Sequence, residues 1–144
     1  MQNSKTFLHH GSKVAGLNVL TPFPSDILSG RSVVFATSDI RFALAMIYGT
    51  DKEFAIGYFI NQETDEREMY LQELEPNALD LLDVSGVLYE CVREGFVLDP
   101  ALTDVEFISR EPVYITKETY IPNILTELKK DGTVCIIRYR DEIK

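Results

Sequence analysis

The feature that most constrains this chain is a strand that runs into glycine. Phe7-Leu8-His9-His10-Gly11-Ser12 reads as a short buried strand closing on polar and glycine residues, and Val33-Val34-Phe35-Ala36-Thr37 has the same character. Both of the protein's histidines fall in the first run. A strand sends successive side chains to opposite faces, so His9 and His10 cannot point the same way. One is expected to face the core, the other whatever covers the strand end. Gly11 has no Cβ and would let a ligand approach the backbone closely, while Ser12 adds a hydroxyl. Together they form a candidate small-molecule clamp.

Size and charge narrow the classes. The 144 residues amount to a single domain, 1–144, and 45% apolar residues can fill a substantial core. No apolar run approaches the ~20 residues that cross a bilayer. No long apolar segment follows the first residues, so no secretory signal is read and a cytoplasmic setting is expected. Cys91 and Cys135 each lie in apolar, strand-like runs, where buried free thiols are expected rather than a disulfide. Two cysteines and two histidines supply no zinc ligand set. A net charge of −9 argues against nucleic acid, whose backbone needs a basic surface, and against anionic membranes.

Strand-like runs dominate the rest. Ser32 to Ala36 forms the second strand. A helix follows, with Thr37 or Ser38 as N-cap, Asp39 near the positive end of its dipole, and Gly49 as its stop. Ile40, Ala43, Leu44 and Ile47 stand at i, i+3, i+4 and i+7 and form its core stripe. Phe54–Ile60 and Glu68–Leu71 read as a hairpin around the acidic tip Glu63, Asp65 and Glu66. Val87–Val92, Glu106–Ile108, Val113–Ile115 and Thr133–Tyr139 read as further strands. A second helix over 123–130 carries Ile124, Leu125 and Leu128 inward and stops at Asp131-Gly132. Short strands with two helices, not in strict alternation, indicate an α+β domain with a largely antiparallel sheet.

Set in order, His10-Gly11-Ser12 at a strand end and the Val33–Ala36 strand with its capped helix resemble the first two motifs of the ADP-ribosyltransferase superfamily. Val87-Leu88-Tyr89-Glu90, Gly95 to Pro100, Leu102-Thr103-Asp104 and Phe107 to Val113 follow. In order and spacing these are similar to the small bacterial rifamycin ADP-ribosyltransferases. The resemblance covers about two thirds of the chain and implies a split antiparallel sheet with a cleft for NAD as co-substrate. It also implies transfer of ADP-ribose to an acceptor (a protein or a small molecule), or NAD hydrolysis, with release of nicotinamide. The alternative is a non-catalytic module that keeps the fold and a nucleotide pocket.

By that resemblance His10 meets the adenosine ribose, the Gly11 backbone holds the nicotinamide carboxamide, and Ser12 lies near the nicotinamide ribose. Many members place a stacking tyrosine where this chain has Val34, and Tyr48 or Tyr58 could substitute for it in space. The carboxylate that stabilises the oxocarbenium-like centre is matched by Asp99 first and Glu90 second. Each has a plain structural alternative: an internally satisfied His10, a turn-forming Asp99-Pro100, a solvent-facing Glu90. Arg110-Glu111-Pro112 reads as a local ion pair fixing a bend, with a phosphate-binding Arg110 as the alternative, and Arg41 as a solvated helix residue or a pyrophosphate contact. No G-x-G-x-x-G run, Walker lysine loop or G-x-S-x-G elbow is present.

Overall fold

A computed structural model describes residues 6–25, 28–47 and 53–140. The strand carrying both histidines, β1 (Phe7–Ser12), lies inside the largest sheet. β2 (Val19–Leu20), β3 (Phe23–Pro24), β4 (Ser32–Thr37), α1 (Ile40–Ala45), β5 (Phe54–Ile60) and β6 (Arg67–Glu73) follow it. After a 3₁₀ turn (Ala78–Leu82) come β7 (Gly86–Val92), β8 (Val97–Leu98), β9 (Glu106–Ser109), β10 (Val113–Tyr114), β11 (Lys117–Ile121), α2 (Ile124–Lys130) and β12 (Val134–Ile137). The large sheet runs β11-β7-β1-β4-β9-β8 with β3 on β4, every pair antiparallel. A separate sheet runs β12-β6-β5, in which β12 lies parallel to β6. β2 and β10 form a small ribbon. The class is α+β with a mostly antiparallel sheet.

Alternation along the central strands divides two cores. Leu8 on β1, Val34 and Ala36 on β4, and Val87, Tyr89 and Cys91 on β7 share one face and pack with Leu20, Phe96 and Phe107. The opposite face supports α1, α2, the 3₁₀ turn and the second sheet, through Phe42, Leu44, Ile47, Met69, Leu79, Ile124 and Leu128. Burial of this kind contributes about 25 cal/mol per Å² of apolar surface, so both faces of the sheet are stabilising ones.

Several elements differ from the sequence expectation for identifiable reasons. β4 runs on through Thr37, which moves the helix cap to Asp39, whose carboxylate accepts from Arg41 N–H at 2.9 Å. α1 packs against both β1 and α2, so Phe42 and Ala45 are buried as well, while Ile40, at the helix start, is 46% exposed. The expected Gly49 stop lies outside the described residues; the helix closes at Met46. β11 was not anticipated, because an edge strand of Lys117, Glu118, Thr119 and Tyr120 is exposed on both faces and carries no apolar alternation. Cys135 is exposed on β12, contrary to expectation, and Cys91 is buried; both are free thiols. Burial, with the neighbouring Glu90 charge, pushes the Cys91 thiol up to about 11. At Ser109–Pro112 the bend is held by the Ser109 hydroxyl, which donates to Glu111 O at 2.9 Å and accepts from Glu111 N–H at 3.1 Å, not by an Arg110–Glu111 ion pair.

Candidate functional site

Cross-strand register assembles a polar row. His9 stands opposite Thr37 on β4 and opposite Glu90 on β7, and Glu90 stands opposite Lys117 on β11. Directly opposed residues share a face with Cβ atoms about 4.5–5.5 Å apart. His9 and Glu90 are both half-buried. Among the described residues, neither the His9 imidazole nor the Glu90 carboxylate has a hydrogen-bond partner; the Glu90 backbone carbonyl accepts from the Thr116 N–H and hydroxyl. Burial lowers the His9 pKa below its ordinary value, while the charges of Glu90 and then Asp39 pull it back part of the way.

A second network stands beside this row. The Asp39 carboxylate accepts from Arg41 Nη2 at 2.7 Å and Nε at 3.0 Å and from the Tyr58 hydroxyl at 2.9 Å. Burial alone would raise the Asp39 pKa, but these donors outweigh it and hold the carboxyl below its usual range. Arg41 Nη1 also donates to Thr133 Oγ1 at 3.0 Å. Arg41 is therefore neither a solvated helix residue nor a free cation; it ties the start of α1 to the second sheet. Tyr58 lies 4.3 Å from the Arg67 guanidinium and 5.7 Å from that of Arg41, measured to its ring centroid. Desolvation, with Asp39 accepting its proton, raises the Tyr58 pKa. No sequence pattern announced this network beyond the helix-capping position of Asp39.

The motif residues are distributed differently from the sequence expectation. His10 pairs in register with Tyr89 and so points away from the His9–Glu90 face; its Nδ1 lies 2.6 Å from Phe35 O. With that proton donated to the carbonyl, Nε2 is the free acceptor. Burial lowers the His10 pKa and the bond to Phe35 opposes the change. Ser12 Oγ accepts from Val14 N–H at 3.0 Å. Val34 is 2% exposed inside the sheet's other core. Tyr48 lies outside the described residues.

Gly11 has a role the sequence did not suggest. A Cβ there would lie 2.3 Å from Ala43 O and 2.4 Å from Ile47 Cγ1, so the space above its bare Cα is filled by α1 and not left for a ligand. Gly11→Ala is expected to destabilise the fold by about 1–3 kcal/mol, as overpacking does. Urea unfolding measures it, and a loss under ~0.5 kcal/mol would mean that helix and strand do not meet there.

The two candidate carboxylates separate. Asp99 follows β8, with β9 and β4 standing between β8 and β1, a span of about 14 Å at ~4.8 Å per strand. Its carboxylate accepts from Ala101 N–H at 2.8 Å and Arg31 Nη2 at 2.9 Å, which lower its pKa in that order. The structure thus brings Glu90 to His9 and leaves Asp99 in a local clasp away from both histidines. A cleft of about 740 Å³ opens beside Thr6, Arg93, Phe96, Glu111 and Tyr114, and another of about 690 Å³ beside Glu73 and Arg138. Neither contains His9, His10, Glu90 or Asp99.

Sequence reasoning also missed Glu73. It is 4% exposed and accepts from Leu79 N–H at 2.9 Å, Tyr139 N–H at 2.7 Å and Arg138 Nη1 at 2.8 Å. Met69 and Leu71 point inward, and the same two-residue period places Glu73 inward too. Among the described residues no helix is long and apolar enough to cross a membrane, and no group of three or more His, Cys, Asp or Glu could hold a metal ion. Neither a family model, nor a curated protein, nor a solved structure matches this chain.

Proposed function

We propose that this domain binds NAD and transfers its ADP-ribose to an acceptor, or hydrolyses NAD with water as the acceptor, using Glu90 as the carboxylate. The observation that carries this reading is the half-buried Glu90 side chain, free of hydrogen bonds among the described residues and directly opposite His9 on the strand that bears His-Gly-Ser. A carboxylate of this kind can stabilise the positive charge that develops at the ribose carbon as nicotinamide leaves. The histidine that shares its face is His9, and His10 is turned toward Phe35. Further support for an ADP-ribosyltransferase-like split comes from β1 and β4, whose ladder holds the one register pair His9↔Thr37, with the His10 side chain rather than the backbone reaching Phe35 O beside it.

One observation favours the non-catalytic module. Val34, which stands where the family's stacking tyrosine would be, is enclosed with Leu8, Ala36 and Val87 and offers no surface to a ring. Melting temperature against NAD concentration, followed by nicotinamide release, separates the two readings. A transferase or hydrolase shows both a rise in Tm and release. A binding module shows only the rise. No rise at millimolar NAD removes both.

A further inference from the structure

Resting on the transfer reading above, we propose that His9 is the acid–base group of the reaction, taking the proton of the attacking nucleophile while Glu90 stabilises the ribose carbon. The geometry singles out His9 in three ways. It is the histidine on the Glu90 face, by register on both neighbouring strands. Its ring is half-buried and, among the described residues, has no hydrogen-bond partner, whereas His10 is bound to Phe35. Its carboxylate neighbour is likewise unengaged, while Asp39, Glu73, Asp99 and Asp104 are each held by a guanidinium. An imidazole and a carboxylate facing each other with nothing else bound are arranged for proton transfer and charge stabilisation.

The step balances. As the bond from the nicotinamide nitrogen to the ribose carbon breaks, its electron pair stays with nicotinamide, which leaves neutral. The oxygen of a hydroxyl acceptor or of water forms the new bond to that carbon, and its proton passes to His9 and then to solvent. The charged groups facing His9 are Glu90 on β7 and Asp39 before α1, with Lys117 beyond Glu90 on β11 and Arg41 bound to Asp39. Partial burial outweighs the two carboxylates and lowers the His9 pKa, which favours the neutral ring that can accept a proton.

The test is the pH dependence of nicotinamide release in the parent, His9→Asn and His9→Gln, alongside the NAD-induced rise in Tm. The parent should lose rate as pH falls through the His9 pKa, because protonation disables the base. Both variants should release nicotinamide ~10²–10³-fold more slowly at pH 7.5 and lack that acidic limb, with the Tm rise kept. Variants that keep the parent's rate and limb overturn the role of His9 and leave the transfer reading standing. A parent that releases no nicotinamide overturns both. Histidine NMR titration decides the pairing even if the variants fold poorly: Glu90→Gln should lower the His9 pKa, and an unchanged value overturns the proposal.

Discussion

Replacing Glu73 with alanine should lower the unfolding free energy by about 2–4 kcal/mol at neutral pH, the largest stability loss expected from a single polar substitution here. Two charge-assisted backbone hydrogen bonds disappear, each worth ~1.5–3 kcal/mol and not strictly additive. They leave Leu79 N–H and Tyr139 N–H without an acceptor. The Arg138 guanidinium is 42% exposed and finds water, so its lost ion pair adds little. Burial would raise the Glu73 pKa, but the Tyr139 and Leu79 N–H groups and Arg138 outweigh it, and the folded value lies below the unfolded one. A carboxylate depressed in this way contributes stability above its unfolded pKa of ~4.3 and loses it as pH falls through the folded value. The gap between parent and variant should therefore be full at pH 7 and shrink at pH 3. Urea unfolding at both pH values measures it. A gap under ~1 kcal/mol at pH 7, or one that does not narrow in acid, would show that Glu73 is not the clasp described.

On the transfer reading proposed above, Glu90→Gln should reduce nicotinamide release by about 10²–10³-fold, the usual effect of removing one electrostatic stabiliser of a transition state. The substitution keeps size and deletes charge. On the same reading NAD affinity should stay within a few-fold, because the positive charge assigned to Glu90 would exist mainly as the bond breaks. Asp99→Asn is the control. It loosens the Arg31 clasp beyond β8 and should leave release within a few-fold of the parent. Collapse in Asp99→Asn with little change in Glu90→Gln would reverse the assignment. Parent-like release from both would remove each from the chemistry.

Much of the architecture was legible because it follows from local rules. The hairpin of β5 and β6 shows in two apolar runs around an acidic tip, and its strands pair from Phe54↔Glu73 to Ile60↔Arg67. α2 shows in its spacing: Ile124, Leu125 and Leu128 are buried and Asn123 caps the helix through Thr126 N–H at 2.8 Å. For α1 the sequence located the helix but not its full buried surface, since periodicity reports one stripe and α1 is packed on more than one side.

The site divides along the same line. Alternation determined that His9 and His10 must face opposite ways, a property of the strand alone. Which of them meets a carboxylate was decided by the partners of β1, since register with β7 puts Glu90 opposite His9 and Tyr89 opposite His10. Strand order then set Asp99 beyond β9, although the resemblance read from the sequence placed Asp99 before Glu90. Gly11 shows the limit most directly. The sequence could require a position without Cβ, but only the packing of α1 shows that Ala43 O and Ile47 fill the space. Local pattern fixes the direction and burial of a side chain along its own element. Which group it faces is set by contacts between segments far apart in the chain, and these carry no local signature.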